Sequence, residues 1–179
     1  MSDSPVDLVY AGADAPRGDF VFDARVARVF GDMIARSVPG WVELLRLIGL
    51  IGAEVAQPGS RVYDLGCSLG ASSSSILSRL PVARHEPSVC VYAVDRAPAM
   101  IDELRRRLGD EIERGRLLPI CADLLDVLIA DASLVVLNLT LQFVPAAERL
   151  GLLRRIRTGL RPGGALILAE KVALPDADG

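Results

Sequence analysis

The stretch Val62 to Gly70, VYDLGCSLG, sets the reading of this chain: a short apolar run closes on an acid and on two glycines four residues apart. Val62, Tyr63 and Leu65 have the β-branched, aromatic and apolar character of a strand. Gly66 and Gly70 admit backbone conformations, and a close approach by a ligand, that a Cβ would block. From Leu69 to Leu80 apolar residues recur at helical spacing, so the turn is expected to open a helix whose free N–H groups face a ligand. Strand, glycine turn and helix in that order form the nucleotide corner of a doubly wound α/β sheet. The spacing is Gly-x-x-x-Gly and not the Gly-x-Gly-x-x-Gly of dinucleotide sites, where the second glycine lets the backbone meet a pyrophosphate. A cofactor with an adenosine and no phosphate fits this turn better; a plain glycine turn is the alternative.

Upstream, residues 1–18 mix Gly, Pro, Ser, Asp and Ala and read as a flexible N-terminal arm, leaving 19–179 as one domain. Val26, Val29, Phe30, Met33 and Ile34 then share a helix face from Phe22 to Ser37, and Pro39-Gly40 interrupts it. Trp41 to Ala56 repeats the pattern through Leu44, Leu45, Leu47, Ile48 and Ile51, so two helices precede the first strand.

Downstream the text alternates between strand and helix, the mark of a mostly parallel sheet covered on both faces. Strands are expected at Val89 to Val94, Leu117 to Cys121, Leu134 to Leu139 and Ala165 to Ala169. Helices are expected at Ala97 to Leu108 and Ala146 to Leu160. Arg161-Pro162-Gly163-Gly164 reads as the turn into the last strand. Ser72 to Ser75 read as hydroxyls capping the first turns of their helix, with ligand contact by one of them as the alternative.

Composition narrows the function classes. With 179 residues, 51% hydrophobic and 24% charged, the chain is an ordinary globular domain able to bury a core. A formal charge of −3 gives no electrostatic ground for direct nucleic-acid binding or for an anionic membrane. Cys67, Cys90 and Cys121 are odd in number and lack C-x-x-C spacing, so they read as reduced thiols, with neither a disulfide framework nor a metal site. No run reaches the ~18 apolar residues of a membrane helix, and the N-terminus lacks a leader pattern, so the expected location is cytoplasmic.

Ligands of open parallel sheets bind beyond the carboxyl ends of the strands, where Asp64, Gly66, Asp95, Asp123 and Asn138 collect. A carboxylate at Asp95 can accept both hydroxyls of a ribose diol and repels a 2′-phosphate. Asp123 is placed to take an adenine amino group. Each acid alone can equally be a helix cap or turn residue; their convergence on one edge favours a site. His85, the only histidine, lies in a loop away from every strand end, so a histidine-based triad has no support. The arginine runs at Arg105 to Arg107 and Arg154 to Arg157 read as solvated faces. Cys67 sits at a helix N-terminus that would favour a thiolate, and reads as a small packing residue.

The glycine motif, the acid after the second strand and the RPGG turn together resemble the class I S-adenosylmethionine-dependent methyltransferases, a Rossmann-like fold. FDARVARVFGDMIARSVPGW from Phe22, QPGSRVYDLGCSLGAS from Gln57 and SLVVLNLTLQF from Ser133 resemble, more narrowly, the carboxy-S-adenosyl-L-methionine synthases. That resemblance runs from about Phe20 to Lys171 and implies a sheet in the order 3-2-1-4-5. It implies conversion of S-adenosylmethionine and prephenate to carboxy-S-adenosylmethionine and phenylpyruvate, which serves wobble-uridine modification in transfer RNA. Carried over by position, the contacts to S-adenosylmethionine or carboxy-S-adenosylmethionine are Trp41, Gly66, Cys67, Ser68, Asp95, Arg96, Asp123, Leu124 and Asn138. The family usually has tyrosine where this chain has Trp41, which keeps a stacking surface and loses a hydroxyl. Family members also continue past the position of Gly179, finishing the sheet and supplying a carboxylate-binding arginine and residues that reach across a homodimer. These C-terminal strands are expected to be absent here, which leaves catalytic residues unassigned. An ordinary small-molecule methyltransferase and a non-catalytic cofactor-binding fragment are the other readings.

Overall fold

A computed structural model describes residues 24–81 and 89–172. The expected arm over residues 1–18, the start of the first helix at Phe22, and His85 lie outside them. Helices α1 (Ala24–Ser37) and α2 (Trp41–Val55) lead into β1 (Arg61–Leu65), followed by α3 (Ala71–Leu77), β2 (Cys90–Asp95) and α4 (Pro98–Arg107). Then come α5 (Gly109–Glu113), β3 (Leu117–Cys121), β4 (Ala132–Asn138), α6 (Ala146–Gly159) and β5 (Leu160–Ala169). The five strands form one sheet in the order β3-β2-β1-β4-β5, and every pairing is parallel.

Alternation along the central strands builds a core on each face. Val62, Leu134 and Val136 turn to one side, where Ile48 of α2, Ile76 of α3 and Ile101 and Leu104 of α4 cover them. Tyr63, Leu65, Val135 and Leu137 turn to the other, against Leu152 and Ile156 of α6. β4 is buried from Ala132 through Leu137, which is why its text shows no polar alternation. Burying each such aliphatic side chain contributes roughly 1.5–3 kcal/mol. α2 and α3 pack unusually close: a Cβ on Gly49 would come within 2.5 Å of the Ser75 carbonyl, and the Ser75 hydroxyl donates to the Leu45 carbonyl at 2.6 Å. Arg116, nearly buried, donates to the Leu77 and Leu80 carbonyls at 2.7 and 3.2 Å and so caps the C-terminal end of α3.

Three local expectations are corrected. Arg161 to Gly164 do not form a turn before the last strand, because β5 begins at Leu160 and carries them as a wide bulge. Between the pairs Ala132↔Leu160 and Leu134↔Ala165, β4 advances two residues while β5 advances five. Arg161 anchors the bulge, bonding Asp131 at 2.8 Å and the Pro58 and Gly59 carbonyls at 3.2 Å each. The serines of α3 do not cap it: Gly70 is the N-cap, with no side-chain hydrogen bond, and the hydroxyls of Ser73 and Ser75 reach neighbouring elements instead. α5, five residues long, has no counterpart in the helical periodicity read from the text.

Candidate functional site

β1, β2 and β4 end side by side, and their carboxyl ends open onto a cavity of about 850 Å³. The turn after β1 is built onto its neighbour: the Val94 carbonyl accepts from the Gly66 and Cys67 N–H groups at 2.8 and 2.9 Å. Gly66 has φ +76° and lies against Thr140, and Ser68 takes a left-handed φ of 50°. Across the cavity Leu139, just past β4, is also left-handed at φ 56°. Non-glycine residues in that region are uncommon and cluster where a backbone is held for a ligand.

Asp95 joins two of these turns. One carboxylate oxygen accepts the Ser68 N–H at 2.9 Å and the other accepts the Ala97 N–H at 2.9 Å. Each oxygen keeps a lone pair for a further donor from the cavity that Asp95 lines. Asp123 closes a turn of its own, accepting the Leu125 N–H at 2.9 Å through one oxygen. Asn138 donates from Nδ2 to the Ser72 hydroxyl at 3.1 Å, and its Oδ1 is buried with no hydrogen-bond partner.

All nine positions carried over by resemblance lie on this one cavity: Trp41 at the start of α2, Gly66, Cys67 and Ser68 in the turn after β1, Asp95 and Arg96 after β2, Asp123 and Leu124 after β3, and Asn138 at the end of β4. Arg96, after β2, is exposed there, whereas Arg36, a second candidate cation near the end of α1, is absent from the wall and pairs with Asp32. Sequence reasoning missed several wall residues. Phe30, Met33 and Ile34 carry the periodicity of a core helix but line the cavity, as do Thr140, Phe143 and Lys171. Arg107 was counted with a solvated run, yet it too reaches the wall while bonding Glu103 at 2.6 Å. No local signal separates an apolar helix face that meets a sheet from one that meets a cavity. Among the described residues no group of His, Cys, Asp or Glu is arranged to hold a metal, and no helix is long and apolar enough to cross a membrane.

A buried carboxyl and a buried thiol lie beside the turn. Asp64 stands inside β1, fully covered, and does not reach the ligand edge where the sequence grouped it; its Oδ2 accepts the Ser73 N–H at 3.0 Å and the Ser73 hydroxyl at 2.7 Å. Burial pushes its carboxyl up to about 6, the Ser73 bonds oppose the rise, and Asp95 nearby adds to it. Burial, then Asp64 and Asp95, also pushes the Cys67 thiol well above its ordinary range, so it stays protonated despite its place before a helix.

The shift on Asp64 sets a pH dependence. Because its folded pKa, about 6, lies above the ordinary 3.8, the folded state binds more protons than the unfolded chain between them. The stability that Asp64 contributes is therefore fully present below that window and is lost, to the extent of about 3 kcal/mol, as pH rises through it, at 1.36 kcal/mol per pKa unit. Thermal unfolding of wild type and Asp64→Asn from about pH 4 to 7 checks this. The loss is expected in wild type, and a flatter profile in the variant.

A family profile described as a methyltransferase domain matches residues 62–164. The carboxy-S-adenosyl-L-methionine synthase of Geobacter metallireducens is 51% identical over 168 residues, covering 93% of this chain and 67% of that protein. The protein of the same name from Escherichia coli O1:K1 is 44% identical over 171 residues, covering 96% of this chain and 68% of the relative. Among solved structures, SAM-bound CalS10, an amino pentose methyltransferase from Micromonospora echinaspora, superposes with a TM-score of 0.61 at 19% identity, over 88% of this chain and 60% of that one, a likeness of fold. With half its residues shared across nearly its whole length and the methyltransferase sheet order in place, the chain belongs to the carboxy-S-adenosyl-L-methionine synthase family.

Proposed function

We propose that this cavity binds S-adenosylmethionine and that the protein converts it, with prephenate, to carboxy-S-adenosylmethionine and phenylpyruvate. Membership of the family makes the chain an S-adenosylmethionine-utilising transferase and is what favours the finer reaction; binding of S-adenosylmethionine in this cavity rests on one observation. The Asp95 carboxylate stands on the wall beside the Gly66–Ser68 turn, with a free lone pair on each oxygen, where a ribose diol can donate to both. The wall fits the rest of the ligand. Asp123 has an oxygen to spare for an adenine amino group, the backbone of Leu124 lies beside it, and Trp41 offers a flat apolar surface. The unpartnered Oδ1 of Asn138 awaits a donor.

S-adenosylmethionine supplies a sulfonium whose attached methyl carbon can lose a proton and take up the carbon dioxide released as prephenate aromatises; the ring hydroxide that prephenate expels takes that proton and leaves as water. The residues here bind and orient it, and the added carboxylate calls for a cation, because an unpaired charge in such a cavity is costly. Arg96 and Lys171 both line the wall and are the cations this reading assigns to it. The same proposal extends to a domain spanning residues 19–179, a homodimer, a cytoplasmic location and a role in wobble-uridine modification without direct nucleic-acid binding by this protein.

The test is the mass of the small molecule released from purified protein, together with prephenate turnover by a version extended with the C-terminal part of its relatives. A species heavier than S-adenosylmethionine by one carbon dioxide is expected, with turnover rising in the extended version. Unmodified S-adenosylmethionine or its demethylated product, with no prephenate consumed, would make an ordinary methyltransferase the better account.

A further inference from the structure

Asn138 carries both a donor and an acceptor, and which of them stays free decides what the cavity can recognise at the end of β4. Its Nδ2 is engaged by the hydroxyl of Ser72, a residue only 5% exposed, so water does not compete for that bond. Its Oδ1 is buried with no partner, a state that costs desolvation without return unless a ligand restores it. Ser72 is itself held in place. The next residue, Ser73, is bonded to buried Asp64 through both its N–H and its hydroxyl, which pins the first turn of α3 against β1. β1 pairs directly with β4, so the hydroxyl and the amide belong to one rigid frame.

We infer that Ser72 is a positioning residue for ligand recognition: by accepting the Asn138 amide N–H it tethers that side chain at the cavity wall, where Oδ1 is left to accept a donor group of the bound ligand. This rests on the proposal that Asn138 contacts the ligand. Without the Ser72 hydroxyl the amide loses its tether, and part of the population meets the ligand with the side chain turned or displaced. Ser72 lines the cavity as well, so an effect through Asn138 has to be separated from direct contact by a double variant.

The probe is S-adenosylmethionine, measured by calorimetry on wild type, Ser72→Ala, Ser72→Thr, Asn138→Ala and the Ser72→Ala/Asn138→Ala double variant, each shown to be folded by its melting curve. Ser72→Ala is expected to weaken binding about five- to tenfold, the scale of one hydrogen bond. Ser72→Thr, which keeps the hydroxyl, is expected to hold wild-type affinity. Adding Ser72→Ala to Asn138→Ala is expected to change nothing further, which a general loosening of α3 would not produce. Equal losses from Ser72→Ala in both backgrounds, or a Ser72→Thr defect as large as that of Ser72→Ala, overturn the inference. So does wild-type affinity in Ser72→Ala while Asn138→Ala binds weakly, and in that case the ligand reading of Asn138 stands. Unchanged affinity in Asn138→Ala overturns that reading as well.

Discussion

Replacing Asp95 with alanine lowers affinity for S-adenosylmethionine by on the order of 100-fold or more. Two hydrogen bonds to a charged acceptor are lost, each worth about 1.5–3 kcal/mol. The same substitution leaves the Ser68 and Ala97 N–H groups without their acceptor, so stability falls too, by about 1–3 kcal/mol for each group that water does not reach. Calorimetry and thermal unfolding on one preparation separate the effects. Asp95→Asn, which keeps one acceptor oxygen and loses the charge, should fall between wild type and alanine in both. A variant that melts earlier yet binds S-adenosylmethionine as wild type does would reduce Asp95 to a staple between two turns.

Gly66→Ala is expected to be strongly destabilising, because it combines a clash with a left-handed backbone. The new Cβ would lie 2.5 Å from both Cγ2 and Oγ1 of Thr140, at a residue whose φ is +76°. The left-handed backbone costs roughly 1–2 kcal/mol for a residue with a Cβ, and forced overpacking adds typically 1–3 kcal/mol. The sum, about 2–5 kcal/mol, is a large share of the stability of a small domain. Denaturant midpoints check the amount, and a second substitution resolves its origin. Thr140→Ala in the Gly66→Ala background removes both 2.5 Å contacts and leaves the backbone cost and a 3.1 Å contact to the Thr140 Cβ, so, measured against Thr140→Ala alone, it should recover most of the overpacking part. No recovery would mean that the damage arises from conformation and not from contact.

The sheet was legible because its strands announce themselves by burial. β3 is found at the residues read from the text, and β1, β2 and β4 within two residues of their expected ends, since each is an apolar run closed by a polar residue or a glycine. The strand-end acids were legible as a group for the same reason. Their division of labour was not: Asp64 and Asp95 look alike in the text, and only the pleat, which turns Asp64 into the layer beneath α3, separates a buried anchor from a carboxylate at the cavity. The serines of α3 illustrate a second limit. Their spacing is compatible with capping, but Gly70 already occupies the N-cap in a left-handed conformation, and the hydroxyls find partners on β1 and α2 that no local rule anticipates. Arg107 and Phe30 show a third, for residues on a regular helix face reach the cavity wall only because of where that helix is docked.

The bulge in β5 has a consequence for how the gene can change. Because Arg161 to Gly164 lie outside the ladder, held by Arg161 to Asp131 and by Gln57 to the Pro162 carbonyl at 3.0 Å, codons can be gained or lost there without sliding Ala165–Ala169 along β4. The downstream pairing, from Leu134↔Ala165 to Asn138↔Ala169, delivers Glu170 to the Leu141 N–H at 2.5 Å and Lys171 to the cavity wall. A one-codon insertion within this short loop is therefore absorbed as slack, whereas the same insertion four residues later inverts which face each following side chain occupies and carries Glu170 and Lys171 out of place.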